Sequence, residues 1–331
     1  MKEKTPPSDA DAYRRADFTI TRIFIKFEKI SDMKNNQITL GQAGFQPQQR
    51  LSGLKLFFLA MFLVGQLAGS PAQTPDRIAA TYNKQLVRVF EYRDSLEGVH
   101  PFVKGLYPIA IAEDGHFYVF DLDETLSEYR IMAHQDIEMK VPKVTRAAFP
   151  LDFYGGKCGA VVTGDVFDTP VGYVTLFHEF IHCRQWHSVE PGLREKLPLA
   201  QKNAAAGNFM WEIDHPFPYD DSWFVQTYSA FLRAAENHDQ EAVDELRREL
   251  ASILNDDDYQ YMVWQEWKEG FALLIENKMR AHLGLPVNMV GRKPPFSRTA
   301  FYAGGAAFID FLSAQNETLL TDLEALFFSM Y

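Results

Sequence analysis

The sequence predicts an α+β fold in which the strands come before the helices along the chain. A hairpin pattern around the Asp114-Gly115 turn and a second strand pattern at 158–163 both lie before residue 171. From Val171 onward, apolar residues recur at the three- and four-residue spacing of amphipathic helices. Because elements of one kind are grouped together, we expect a small, mostly antiparallel sheet that packs against a mainly helical C-terminal half.

The composition excludes several classes of protein. The chain has 331 residues, 47% of them apolar, with 27 Phe, 14 Tyr and 5 Trp, which is enough for a large core. Two cysteines are too few for a four-thiolate zinc or iron–sulfur site. Cys158 and Cys183 would form a disulfide in an oxidising compartment or remain two buried thiols, and the sequence leaves both alternatives open.

Charge divides the chain at residue 72. Residues 1–72 carry ten basic and six acidic side chains, a net charge of +4, so the overall charge of −11 leaves −15 on residues 73–331. A body this acidic repels phosphate backbones, because affinity for nucleic acids depends on basic side chains that displace counterions. We therefore expect no nucleic-acid partner.

The most apolar stretch of the chain, 56–67, has the pattern of a secretory signal. Arg50 and Lys55 precede it, and small residues up to Ala72 follow it. Its 12 residues are too few to cross a hydrocarbon core of about 30 Å comfortably. We expect cleavage after Ala72 and export to the periplasm or the medium, with translation from Met1 or from Met33. An uncleaved signal anchor that tethers the protein to a membrane is the alternative.

The domain organisation follows from these segments. We expect residues 1–72 to be an N-terminal extension with its signal, and 73–331 to be one domain with a strand-rich part, 73–170, and a helical part, 171–331. Proline-rich residues 188–221 are predicted to be an irregular connection. Helices are predicted at 73–95, 173–188, 222–236, 239–254, 257–282, 299–314 and 317–330.

One motif points to metal chemistry, the run His178-Glu-Phe-Ile-His182 within the helix predicted at 173–188. Residues four apart lie on the same face of a helix, so both imidazoles can bind one zinc ion. Glu179 then lies alongside, where it can hold the water that the ion also binds. A metzincin would need Gly and His at positions that Gln185 and Ser188 occupy, which excludes that branch.

A catalytic zinc needs a third protein ligand, and we expect an acidic one on the helix at 257–282. Glu269 is our prediction, because the small residues Gly270 and Ala272 after it would let this helix approach the HExxH helix closely. Glu266 and Glu276 lie on roughly the same face and are the alternatives. We interpret them as a solvated edge or as partners of the ligands.

The two motifs together resemble the gluzincin branch of zinc metallopeptidases, and most closely the catalytic domain of the aminopeptidase N-like (peptidase MA-like) group. HEFIH followed by Trp-Lys-Glu-Gly-Phe-Ala matches that group, which implies a zincin-like fold and makes Glu269 a zinc ligand. The group also has a later Tyr-x-x-Gly-Ala motif whose tyrosine stabilises the oxyanion. Residues 299–306 match it and identify Tyr302.

The resemblance covers about 155–315 and has limits. The Gly-x-Met-Glu-Asn motif with which these aminopeptidases hold a free amine is missing, and 159–163 stands at the corresponding edge strand. The spacing between His182 and Glu269 is also longer than in that group. Aminopeptidase specificity is therefore not implied.

We expect an exported zinc-dependent hydrolase that cleaves peptide or amide bonds in a peptide or protein substrate. Zn²⁺ would be held by His178, His182 and Glu269, with Glu179 and Tyr302 as catalytic residues. A non-catalytic exported binding module is the alternative. A third candidate is a haloacid-dehalogenase-type phosphatase acting through Asp121 and Asp123, which form a matching motif. Only 44 residues separate Asp121 from Asp165, the start of a possible acidic pair, which is too few for the strand–helix crossovers of that fold.

Overall fold

The computed structural model describes residues 74–137 and 141–331. The predicted signal at 56–67 and its cleavage after Ala72 lie outside the described residues and remain predictions. Within the described ranges, no helix combines the length and the apolar character needed to span a membrane.

The described chain is α+β, as predicted, and its sheet has five strands. These are β1 (Ile109–Glu113), β2 (His116–Leu122), β3 (Tyr129–Asp136), β4 (Arg146–Leu151) and β5 (Lys157–Thr163), in the order β3-β2-β1-β5-β4. Three of the four pairings are antiparallel, and β1 and β5 run parallel, so the sheet is mixed.

The hairpin prediction is confirmed. Strands β1 and β2 pair with Glu113 opposite His116, and the turn residues Asp114 and Gly115 both have positive φ. Two consecutive left-handed residues are typical of a type I′ turn, whose twist matches that of the flanking strands.

The expected position of the edge strand is wrong. Segment 159–163 belongs to β5, which lies between β1 and β4, and the edge is β4, which the sequence patterns did not reveal. Strand β4 contains Pro150, which argues against a strand when only the sequence is read, and most of its side chains are partly exposed.

The helices mostly match the predicted ranges. The segment predicted at 257–282 is one continuous helical run interrupted by a π-helical turn, Glu266–Gly270. The helices are α1 (Pro75–Leu96), α2 (Pro170–Ser188), α3 (Glu190–Lys196), α4 (Pro198–Ala205), α5 (Trp211–Asp214), α6 (Ser222–Glu236), α7 (Gln240–Ile253), α8 (Asp256–Gln265), α9 (Phe271–His282), α10 (Ala300–Gln315) and α11 (Leu323–Ser329).

Two predictions of secondary structure are wrong, the irregular connection at 188–221 and the single helix at 317–330. The segment 188–221 contains three short helices, α3 to α5, because Pro191 and Pro198 stand in the first turn of α3 and α4, where proline is favoured. The segment 317–330 is divided into a 3₁₀ turn, Glu317–Leu320, and α11, which begins after the capping side chain of Asp322.

Helix α2 lies in the middle of the molecule. It packs against β4 and β5 on one side and against α9 on another. Most of its side chains are buried, including those of Phe177, Phe180 and Ile181. The two imidazoles of the HExxH motif are thus carried by a rigid, fully packed element.

Cys158 on β5 and Cys183 on α2 are buried free thiols, and burial together with the adjacent Cys158 raises the pKa of Cys183.

Stability should fall in acid because of one buried histidine that is not part of the HExxH motif. His100 is 5% exposed; its Nδ1 accepts from the N–H of Phe102, so its Nε2 donates to the carbonyl oxygen of Leu320 over 3.0 Å. Burial lowers the pKa of His100 to about 4. Because the native pKa lies below the unfolded value of 6.5, this stabilisation is present above pH 6.5 and is lost as the pH falls towards 4.

We expect the loss to reach about 3 kcal/mol of unfolding free energy at pH 4. Denaturant unfolding of wild type and of His100→Phe, measured between pH 7 and pH 4, checks this. The variant should be less stable at pH 7 and should lose less stability towards pH 4. Equal pH slopes in the two proteins would contradict the prediction.

Candidate metal centre

The two histidines of the motif converge on one point. Helix α2 begins at Pro170 after the N-cap Thr169, whose side chain accepts from the N–H of Gly172. His178 and His182 follow two to three turns later, one turn apart, and their Nε2 atoms are 3.1 Å from each other. The side chains are almost entirely buried, so neither ring can turn away to solvent.

Glu269, in the π turn, brings a third atom that could bind a metal next to the two histidines. Its Oε2 lies 3.3 Å from Nε2 of His182 and 3.9 Å from Nε2 of His178. The three side chains form the one metal-compatible cluster among the residues that the structure describes. A π turn places one more residue in the helical turn and so changes where the next side chains point, and such turns are frequent at functional sites.

Each histidine is oriented by a hydrogen bond at its other nitrogen. Nδ1 of His178 lies 2.9 Å from Oε2 of Glu276, and Nδ1 of His182 lies 2.9 Å from Oε1 of Gln185. Both oxygens can only accept, so the protons are on Nδ1 and the Nε2 lone pairs can face an ion. Such partners are typical of histidines that bind metals. From the sequence, Glu276 was an alternative ligand or a partner of the ligands, and the structure places it as a partner of His178, whereas Gln185 was given no role.

Gln185 also joins the two elements that carry the ligands. Its Nε2 donates to the carbonyl oxygens of Trp267 and Lys268, both in the π turn. A single side chain thus contacts a histidine of α2 and the backbone next to Glu269. This contact fixes the distance between the two histidines and the carboxylate.

Buried ion pairs hold the same turn from outside. The ammonium group of Lys268 lies 2.9 Å from Oε1 of Glu190 and 3.0 Å from Oε2 of Glu212. Arg194 pairs with the same two carboxylates. Burial would lower the pKa of Lys268, but the carboxylates outweigh it and keep the pKa above its usual value. Lys268, the residue before Glu269, is therefore held in place by a network of ion pairs.

The centre favours a positive charge. Burial would lower the pKa of His178, but the carboxylates of Glu269 and Glu276 raise it to about 10. Burial would likewise raise the pKa of Glu276, but His178 holds it at about 2. A proton on His178 or a divalent cation at the ligand atoms can supply this positive charge, and a cation that binds at Nε2 displaces the proton there.

The distances between the ligand atoms fit zinc. Ligand atoms at about 2.0–2.1 Å from a tetrahedral ion are about 3.3 Å apart. The separations of 3.1, 3.3 and 3.9 Å between the two Nε2 atoms and Oε2 of Glu269 are close to that value. Two imidazoles and one carboxylate are also a donor set that leaves a fourth position open, as in catalytic zinc sites.

Glu179 has the properties of a proton acceptor in this site. It is 6% exposed and makes no hydrogen bond to another side chain within residues 74–137 and 141–331. Burial, opposed in part by the two histidines, raises the pKa of Glu179 above its usual value. A carboxylate with a raised pKa and free oxygens is suited to accept a proton and pass it on.

Tyr302 and Arg298 complete the surroundings of Glu269. The ring of Tyr302 lies nearly parallel to that of His178, with centroids 6.5 Å apart, so the structure brings Tyr302 next to the two histidines. Burial raises the pKa of Tyr302 well above its usual value, so its hydroxyl keeps the proton. Nη1 of Arg298 donates to Oε1 of Glu269 over 2.9 Å, a contact that no sequence motif indicated.

The other candidate residues lie elsewhere. Glu266 is buried, and it pairs with Arg247 and accepts from the hydroxyl of Tyr228, so it is neither a ligand nor a solvated residue. Asp121 accepts from Tyr154 and Lys157. Its strand, β2, runs antiparallel to both neighbours, whereas a haloacid-dehalogenase-type phosphatase needs parallel strands there.

Gly270 has a different role from the one predicted. A Cβ atom at Gly270 would lie 2.5 Å from Cα of Gly305, so the close approach that this glycine permits is to α10 and not to α2. Helix α10 carries Tyr302, which explains how that side chain comes to lie beside the ligands.

Comparisons with models of protein families, with curated proteins and with solved structures give no match. A function must therefore be argued from the residues of this chain.

Proposed function

We propose that the protein is a zinc-dependent hydrolase that cleaves peptide or amide bonds. The observation that carries this proposal is the convergence of His178, His182 and Glu269, with Glu179 next to them in the chain. Two histidines at i and i+4 with a glutamate between them are the arrangement that zinc peptidases use. All four side chains are buried, and the helix that carries three of them is fully packed. This favours a specific site over a chance cluster of polar residues on the surface.

Each residue has a definite part in this proposal. His178, His182 and Glu269 would hold Zn²⁺, which when bound lowers the pKa of water to about 7 and polarises a carbonyl group. Glu179 takes a proton from the attacking water and gives it to the leaving amine. The hydroxyl of Tyr302, which keeps its proton, donates a hydrogen bond to the oxygen on which negative charge develops.

The arrangement of elements supports a zincin-like, gluzincin-type catalytic region as the finer assignment. The HExxH helix packs under a sheet whose outer strand, β4, contacts it, and the third ligand comes from a later helical segment. With the predicted signal, the proposal places the enzyme outside the cytoplasm. Peptides or proteins are its proposed substrates.

Removal and return of the metal tests the proposal. We expect purified wild-type protein to contain about one zinc per chain and to cleave members of a mixed peptide library, because the three ligands leave a fourth position for water. Dialysis against a chelator should abolish cleavage, and stoichiometric zinc should restore it. Mass spectrometry of the library and elemental analysis of the protein give the two measurements. Cleavage that persists without metal, or zinc-loaded protein that cuts no peptide, would contradict the proposal.

A further inference from the structure

Arg298 lies beside the candidate metal centre, directly before helix α10. Nη1 donates to Oε1 of Glu269, the carboxylate oxygen opposite to the one that faces the histidines. The guanidinium carbon also lies 5.5 Å from the centre of the Tyr302 ring. Only the carboxylate of Glu269 therefore separates this guanidinium from the point where the ligand atoms meet.

The guanidinium of Arg298 has donors that the protein does not use. An arginine side chain carries five N–H groups. Within the described ranges, all side-chain hydrogen bonds of Arg298 are made by Nη1, to Glu269 and, at 3.4 Å, to Oε1 of Gln265. Nε and Nη2 make no hydrogen bond to the described residues, yet neither atom is fully buried, and the side chain is 30% exposed. These two nitrogens, which share one edge of the guanidinium, are therefore accessible to solvent.

A second arginine beside the centre provides a contrast. Arg280 donates through Nε to Oε1 of Glu276 over 2.7 Å and through Nη1 to the carbonyl oxygen of Pro286 over 3.2 Å. Its side chain is only 11% exposed. Both arginines neutralise a carboxylate that faces His178, but Arg280 is enclosed, whereas Arg298 presents an open edge.

We propose that Arg298 binds a carboxylate of the substrate, so that the hydrolase acts on peptides with an anionic group close to the bond that is cut. The open edge offers two parallel N–H groups, which match the two oxygens of a carboxylate and bind it more strongly than neutral donors would. The carboxylate can be the C-terminus of a peptide or the side chain of Asp or Glu. The proposal rests on the proposed function, but carboxylate binding itself requires no catalysis.

Binding to a protein that cannot turn over its substrate tests this inference. The full chain with Glu179→Gln, loaded with zinc and immobilised, is incubated with a mixed library of neutral peptides. Each sequence is present as the free acid, as the C-terminal amide, and as the amide with one Gln replaced by Glu. Mass spectrometry measures the bound fraction of each form. We expect one carboxylate form to be enriched over the neutral amide by about 10- to 100-fold.

The variants identify the residue responsible. In the same background, Arg298→Ala should reduce the enrichment to about onefold, and Arg280→Ala should leave it unchanged. Arg298→Lys keeps a positive charge beside Glu269 but loses the paired donors, so a folded Lys variant should retain only a small part of the enrichment. Enrichment of the free acid identifies a C-terminal carboxylate, and enrichment of the Glu-containing amide identifies an acidic side chain.

Two results would overturn the inference: equal binding of acid and amide by the parent protein, or full enrichment in a folded Arg298 variant. Cleavage by wild-type protein, measured in parallel, keeps this inference separate from the proposed function. Enrichment that depends on Arg298 in a protein without hydrolytic activity would refute the hydrolase and support the carboxylate site. Cleavage without any preference for carboxylates would refute the site alone.

Discussion

Glu179→Gln should lower the rate of peptide hydrolysis by about 10²- to 10⁴-fold, the usual contribution of a general acid–base residue. The amide of Gln has nearly the size of the carboxylate, so packing around the buried side chain should change little. It cannot accept the proton that the attacking water releases. Because His178, His182 and Glu269 are unchanged, the variant should still contain about one zinc per chain. Elemental analysis and cleavage of the best library peptide give the two measurements.

His182→Ala is the matched comparison. It removes one ligand atom and leaves Glu179 in place, so we expect it to lose both zinc and activity. The pair of variants separates metal binding from proton transfer, which a single inactive variant would not do. Cleavage at the wild-type rate by Glu179→Gln would remove Glu179 from the mechanism.

The histidines, Glu179, Glu269 and Tyr302 could be predicted because each is part of a local motif. The spacing of i and i+4 fixes the two imidazoles on one helix face whatever surrounds the helix. Glu269 and Tyr302 were predicted from their neighbours in the chain, and the structure brings both to the histidines.

Partners that lie outside these motifs could not be assigned in this way. Glu276 orients His178 and Gln185 orients His182, but neither belongs to a pattern that distinguishes it from an ordinary polar residue. The contact of Arg298 with Glu269 depends on the loop before α10 and on the π turn. A π turn requires one residue beyond the regular helical repeat, and apolar periodicity over a few turns does not resolve such a shift.

The fold shows the same limit. Strands β1, β2 and β5 were predicted because their buried side chains are nearly all apolar, whereas β3 and β4 lie at the two edges of the sheet and each has only one fully buried side chain. The parallel pairing of β1 with β5 joins segments that are far apart in the chain. Which strands become neighbours depends on contacts between segments that are distant in the chain, such as the packing of α2 against β4 and β5, and local sequence does not encode it.

Gly270→Ala should destabilise the protein by about 3 kcal/mol, because the contact between the π turn and α10 leaves no room for a methyl group. A Cβ atom there would lie 2.5 to 2.7 Å from backbone atoms of Gly305 and Ala306, and backbone cannot move aside as a side chain can. Alanine favours helix over glycine by about 1 kcal/mol, so the overlap decides the sign of the effect.

Gly192→Ala is the control for that prediction, since Gly192 is also helical but has no atom within 4 Å of an added Cβ. It should raise stability by about 0.5–1 kcal/mol. Thermal unfolding should show Gly270→Ala melting roughly 6–12 °C below wild type, at about 2–4 °C per kcal/mol for a domain of this size. Separation of α10 from the π turn also moves Tyr302 away from Glu269, so the folded variant should lose hydrolytic activity at temperatures well below its melting point. If Gly270→Ala were as stable as Gly192→Ala, the two elements could not be packed as closely as the structure has them.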